Sequence, residues 1–143
     1  MSMSLNHCPG CPGDWETFRG HCYKYFKELK TWDAAAETCA QQPGGKCALA
    51  SVTDKEEMDF ISRITSGKSV DVWIGGKRDC HTCSTWQWIE GGTISYFNWA
   101  RGEPNNEDIN DIKQEDCIEL DQYNDQWYDQ NCGDLQQFVC KSL

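Results

Sequence analysis

Glu103-Pro104-Asn105, Glu115-Asp116-Cys117 and Trp127-Tyr128-Asp129 gather carboxylate and amide oxygens from three short stretches, with a proline inside the first and a cysteine closing the second. Between Arg101 and Gln130 there are ten acidic residues and two basic ones. Like charges at that density repel unless a cation sits among them or solvent separates them. A hard cation such as Ca²⁺ takes roughly six to eight oxygens from carboxylates, amides, backbone carbonyls and water. These stretches offer that donor set. A solvated acidic loop is the alternative reading of the same charge.

Working outward, the whole chain of 143 residues is the size of one domain. Seven tryptophans, five tyrosines and five phenylalanines supply bulky core material. A net charge of -10 predicts neither a nucleic-acid partner nor insertion into an anionic membrane, since both repel an acidic surface. No apolar run approaches the roughly twenty residues of a membrane helix. No hydrophobic stretch follows Met1-Ser2-Met3-Ser4, so no signal peptide is expected in the chain. Ten cysteines nevertheless predict a mature, secreted protein in an oxidising, extracellular setting. Cys8-Pro9-Gly10-Cys11 and Cys80-His81-Thr82-Cys83 have the spacing of zinc or redox pairs. They lie too far apart for a compact zinc ribbon and leave six cysteines unused, so disulfides are the better reading. There is no Asn-x-Ser/Thr sequon.

Residues 14–27 read as a hairpin turning at Arg19-Gly20. Thr31 is placed to cap a helix running to about Gln42, with Trp32, Ala35, Ala36, Cys39 and Ala40 on one stripe. Leu49-Ala50-Ser51-Val52 reads as a short strand. Thr53-Asp54-Lys55-Glu56 reads as a capping box for a second helix with Met58, Phe60, Ile61 and Ile64 on its apolar side. Strands follow at Val70–Gly75, Trp86–Ile89, Cys117–Leu120 and Gln137–Cys140. The polar stretch from Arg101 to Gln114 reads as one long functional loop. The fold class is α+β: helices early, antiparallel strands late, the loop between them.

These landmarks, taken in order, resemble the C-type lectin-like domain. They are Cys11-Pro12 with Trp15, Cys22-Tyr23, Cys39 on a helix, Leu49-Ala50-Ser51-Val52, Trp73-Ile74-Gly75, Trp86 with Trp88, and Asn98-Trp99. Glu103-Pro104-Asn105, Glu115-Asp116-Cys117, Trp127, Asp129, Cys132 and Phe138-Val139-Cys140 complete the set. The resemblance implies an N-terminal extension over 1–10 and the domain over 11–143, in its long form. It implies two helices on antiparallel sheets, a long calcium- and ligand-binding loop, and disulfides Cys11–Cys22, Cys39–Cys140 and Cys117–Cys132. For the remaining four cysteines, Cys80–Cys83 and Cys8–Cys47 are the preferred bridges. A homodimer linked through Cys8 is the competing arrangement.

In sugar-binding members of the family, one Ca²⁺ is held by residues matching Glu103, Asn105, Glu115 and Asp129. The proline between the first two ligands is cis, which turns both oxygens toward one point; a cis bond before proline is accessible as it is before no other residue. Glu-Pro-Asn resembles the mannose-type motif, which implies glycans with equatorial 3- and 4-hydroxyls as partners. The family's habit implies a place in innate immunity. One departure stands out: Tyr128 occupies the place of an asparagine ligand. A phenol is a poor ligand for Ca²⁺ and cannot both coordinate and donate as an amide does. Tyr128 is expected to stack on a sugar face instead, and Asn124-Asp125 or Asn106, Glu107, Asp108 and Asp111 are the alternative oxygen sources. The auxiliary calcium site's acidic position holds Arg78, followed by Asp79.

No paired nucleophile and base stands out around His7, His21 or His81. Glu103 and Glu115 suit ligation better than a glycosidase pair, so no enzyme is expected. Trp73, Trp86, Trp88 and Trp99 are expected in the core. The functional expectation is a secreted calcium-dependent lectin. The alternative is a non-sugar binder on the same scaffold, either antifreeze-like or recognising a protein, with calcium weakened or lost because of Tyr128.

Overall fold

The computed structural model describes residues 11, 13–43, 46–79, 85–105 and 115–143, with Glu115 described by its backbone only. The chain opens on a hairpin of β1 (Glu16–Phe18) and β2 (His21–Lys30). Phe18 pairs directly with His21, so the turn has two residues. Arg19 and Gly20 both take positive φ, 52° and 81°, the geometry that matches the right-handed twist of a tight hairpin.

Helix α1 (Trp32–Ala40) begins where expected: the Thr31 side chain accepts the Ala34 N–H at 3.2 Å. Trp32, Ala35 and Cys39 are buried, while Ala40 at the end of the predicted stripe is exposed. After β3 (Cys47–Leu49), helix α2 (Lys55–Ile64) starts one residue later than its predicted capping box. Asp54, not Thr53, is the cap, accepting the Glu57 N–H at 2.9 Å. Glu57 reaches back past the cap to accept the Thr53 N–H at 2.8 Å, one residue before the reciprocal bond of a capping box. A carboxylate at the helix start also complements the helix dipole.

The remaining strands are β4 (Val72–Lys77), β5 (Gln87–Trp88), β6 (Glu115–Leu120), β7 (Trp127–Asn131) and β8 (Gln136–Ser142). They join one sheet in the order β1-β2-β8-β4-β6-β7, with β3 on β8 and β5 on β4. The sheet is mixed rather than wholly antiparallel, because β4 runs parallel to β8 through Val72↔Gln137 and Trp73↔Phe138. Strand β7 was not expected from sequence. Its outward positions are polar, and only Trp127 gives it an apolar anchor.

Alternation along the strands makes a core on each face. Val72, Ile74, Ile118, Leu120, Trp127 and Val139 meet Met58, Phe60 and Ile61 of α2. Trp73, Phe138 and Cys140 on the other face meet Trp32, Ala35 and Cys39 of α1. Trp86 and Trp88 are buried, as expected, and Trp99 is partly so. Gly75 lies where β4 passes the end of β3. A Cβ there would stand 2.5 Å from the Leu49 carbonyl oxygen, so no larger residue fits.

Disulfides Cys11–Cys22, Cys39–Cys140 and Cys117–Cys132 are formed. Cys11 is therefore spent on Cys22, which excludes the zinc or redox reading of Cys8-x-x-Cys11. The preferred Cys80–Cys83 bridge lies outside the described residues, as does Cys8 of the Cys8–Cys47 pairing; Cys47 itself is buried in β3. Cys39–Cys140 closes a span of 101 residues, and by chain-entropy reasoning such a long loop stabilises by a few kcal/mol.

One buried acid sets a pH dependence. Glu119 on β6 is 4 % exposed and accepts a hydrogen bond from Gln136 Nε2 at 2.8 Å. Burial first, and then the neighbouring Asp71 carboxylate, push its pKa up to about 9 from an ordinary value of 4.5. The folded protein thus keeps a proton that the unfolded chain releases, so stability falls as pH rises from about 4.5 through about 9. Glu119→Gln keeps the hydrogen-bonding shape without the charge. The expected outcome is higher stability than wild type at neutral and mildly alkaline pH, with a flatter profile across that window, read by urea unfolding at a series of pH values.

Candidate functional site

Residues 98–100 run beside β7 as an additional edge. The Trp127 N–H donates to the Asn98 carbonyl at 2.8 Å, and the Ala100 N–H donates to the Trp127 carbonyl at 2.9 Å. Trp99 and Trp127 form a parallel bridge, with their rings edge to face at 5.9 Å. A turn follows, with the Glu103 N–H on the Ala100 carbonyl at 2.9 Å and Gly102 at φ 84°. The Glu103-Pro104 peptide is cis. It delivers Asn105 to the strand it has just run along, where the Asn105 backbone N–H donates to Asp129 Oδ1 at 3.1 Å. The Asn105 side-chain amide donates to Glu103 Oε2 at 2.7 Å.

Three of the four expected metal ligands therefore converge: Glu103, Asn105 and Asp129. Glu115 opens β6, and its backbone pairs with Asn131 two residues beyond Asp129. Its side chain lies outside the described residues, as do Asn106, Glu107, Asp108 and Asp111. Cys117–Cys132 ties the strand carrying Glu115 to the end of the strand carrying Asp129.

Tyr128 follows a different path. Asp129 and Trp127 share one face of β7, and both are buried. Alternation gives Tyr128 to the opposite face, where it is half-buried and pairs in register with Glu119. Its hydroxyl lies 3.4 Å from Asn124 Nδ2. The Asn124 amide oxygen accepts the Gln126 N–H at 2.9 Å, and Asp125 pairs with Lys68. Asn124 and Asp125 are thus committed to their own turn and are not brought to Glu103 and Asn105.

Arg78 occupies the auxiliary position with a cation of its own. Its backbone N–H donates to the Asp116 carbonyl at 3.0 Å, and its Nε meets Asp116 Oδ1 at 3.0 Å. The guanidinium lies over the Trp86 ring at 4.8 Å. An arginine so placed neutralises Asp116, next to Glu115, where a metal ion would otherwise have to do so.

The donor chemistry fits calcium. Two carboxylates and an amide oxygen are hard ligands, and a buried Asp129 beside Glu103 favours a cation between them. Among the described residues, no group of three or more His, Cys, Asp or Glu side chains gathers as a metal cluster. The converging set holds two such groups and completes itself with an asparagine. Sequence reading missed the 98–100 edge on β7; Asn98-Trp99 was the available sign, read only as a family landmark.

The chain matches the Lectin C-type domain family over residues 28–142. It is 36% identical over 142 residues to snaclec bitiscetin subunit alpha of Bitis arietans, covering 94% of this chain and 96% of that one. Among solved structures, the mouse scavenger receptor C-type lectin carbohydrate-recognition domain superposes with a TM-score of 0.82 at 30% identity, over 92% of this chain and 97% of that one. A Ca²⁺-dependent type II antifreeze protein, solved in its Ca²⁺-free form, superposes with a TM-score of 0.77 at 28% identity, over 92% and 98%. The chain belongs to the C-type lectin domain family.

Arg78→Ala leaves Asp116 charged and partly buried without its cation. The expected outcome is a loss of about 3 kcal/mol in chemical unfolding, with most of it recovered when Asp116→Ala is added.

Proposed function

We propose that this chain is a secreted, calcium-dependent sugar-binding domain of the mannose type. The observation that carries the reading is Asn105, bonded at once to Glu103 and to Asp129. Glu103, Asn105, Glu115 and Asp129 are the residues that would hold the ion. Calcium bound there supplies open coordination positions for two neighbouring hydroxyls. The chain does the rest. Glu103 and Glu115 would accept hydrogen bonds from those hydroxyls, and Asn105 would donate from its amide, an arrangement that selects vicinal hydroxyls by their geometry. Asp129 is buried and held by the Asn105 N–H, so its carboxylate is oriented before any ligand arrives. The chemistry is recognition without a bond made or broken.

A second reading is favoured by Tyr128 and by the company the chain keeps. Its hydroxyl is turned to Asn124, so the site lacks one amide, and no described neighbour replaces it. Its relatives by name include a snaclec subunit, and its structural neighbours include a calcium-independent type II antifreeze protein. On that reading the domain recognises a protein surface or another non-sugar ligand, and calcium is dispensable.

Calcium titration by calorimetry, with melting temperature followed alongside, separates the two. The lectin reading expects saturable heat, a raised melting temperature and retention on mannan that a chelator abolishes. No heat and an unchanged melting temperature would overturn it in favour of the second. If the lectin reading holds, Asn105→Ala removes the amide that lies between Glu103 and Asp129. The expected outcome is calcium or mannoside binding weaker by roughly tenfold, the worth of one hydrogen bond near a charged centre, read in the same calorimetric titration.

A further inference from the structure

A cavity of about 360 Å³ lies away from Glu103 and Asn105, between the outer face of α2 and the turn that leads into β7. Its volume lies within the range of ordinary small-ligand sites. Met58, Asp59 and Ser62 come from the helix, Tyr96 and Asn98 from the segment before the long loop, and Gln126 from the turn. The walls are fixed. Tyr96 packs edge-on against Trp127 at 5.9 Å, the Trp127 indole N–H lies 3.3 Å from the Met58 sulfur, and Asn98 Nδ2 donates to the Asp125 carbonyl at 2.8 Å.

The polar groups divide into two kinds. The charged ones are already paired: Lys55 with Asp59 at 3.0 Å, and Asp125 with Lys68. Two of the neutral ones are bonded as well, Asn98 to the Asp125 carbonyl and Asn124 to the Tyr128 hydroxyl. The Tyr96 hydroxyl, the Ser62 hydroxyl and the Gln126 side-chain amide make no hydrogen bond to any of the described residues. A hollow whose charges are balanced internally has no call for an ionic ligand. One that presents two hydroxyls, an amide and the flank of an aromatic ring suits a compact neutral molecule carrying several hydroxyls and one apolar face.

We propose that this cavity is a second ligand site, taking a monosaccharide-sized neutral polyol without calcium. Tyr96 supplies the apolar wall and one hydroxyl, and Ser62 and Gln126 supply the other polar contacts. The site does not depend on the calcium reading. It uses none of Glu103, Asn105, Glu115 or Asp129, and it meets that region through Asn98, which is bonded to the Trp127 backbone, and Asn124, which bonds the Tyr128 hydroxyl.

The test is a backbone-amide NMR titration of the full chain with methyl α-mannoside, and separately with methyl α-galactoside, both in excess EDTA. The expected result is saturable shifts at Asp59, Ser62, Tyr96 and Gln126 with either sugar, none at Glu103 or Asn105, and affinity in the millimolar range. Tyr96→Phe removes one hydroxyl while keeping the ring and should weaken binding about fivefold, the worth of a neutral hydrogen bond; Gln126→Ala should do the same. Absence of saturable shifts at the cavity, or shifts that survive both cavity variants at full affinity, would overturn the proposal. Repeating the titration in calcium keeps the two readings apart, because absence of shifts at Glu103 and Asn105 there would count against the calcium site alone.

Discussion

Trp127 is bonded through its backbone on both sides, to Asn98 and Ala100 on one and in register with Leu120 on the other. Its ring is fully buried. That doubly held residue is where core and site meet. With Trp127 held in this way, residues 98–100 follow β7, and the turn after them brings Asn105 onto Asp129. The carboxylate and amide cluster is therefore set by the packing of one indole, two residues away along the same face of the strand. A large buried aromatic group is costly to displace, so the oxygens inherit its rigidity.

An acidic chain must also manage its own repulsion. The molecule does so locally, with cations placed beside particular carboxylates: Arg78 on Asp116, Lys68 on Asp125, Lys141 on Glu57 at 2.6 Å. The last pair is buried and shares Glu57 with the Tyr23 hydroxyl at 2.5 Å, joining β8 and β2 to α2. Burial raises the Glu57 pKa, but the hydrogen bonds from Lys141 and Tyr23 outweigh it and leave the carboxyl below its ordinary range. A buried pair of this kind is costly to break, because the partner left behind keeps its charge. Glu119 follows the opposite course, staying protonated for want of a cation. Glu103 and Asp129 are the remaining case, two acids drawn together around an asparagine.

Much of this was legible in the sequence, though unevenly. Helix starts announce themselves through short side chains that satisfy the first N–H groups, and Thr31 was read correctly for that reason. At α2 two adjacent candidates, Thr53 and Asp54, could each cap, and the stronger acceptor prevailed. Strand order is a different matter. Nothing in Val72–Lys77 or Gln136–Ser142 says that they lie side by side and parallel, because periodicity reports which face is buried and not which neighbour is paired. Strand β7 escaped notice because Tyr128, Gln130 and Asn131 read as loop residues. The three oxygen-rich stretches were visible from their charge and donor chemistry, but the particular ligand in each came only through the ordered resemblance to a family. Arg78 was visible as a departure from it, but its bond to Asp116 was not, since the partner lies 38 positions away.

Strand β8 has a consequence for how the molecule comes into being. It is the last of the eight strands to be made, yet it lies between β2 and β4 in the sheet, with β3 also paired to it. A nascent chain therefore carries two unpaired borders facing a gap until Gln136–Ser142 has been made. Cys39 likewise waits on α1 for a thiol 101 positions downstream. During that interval both borders are open templates for strands of other chains. A mutation that merely delays the arrival of Gln136–Ser142 would then reduce the yield of soluble protein without altering a single contact of the finished fold.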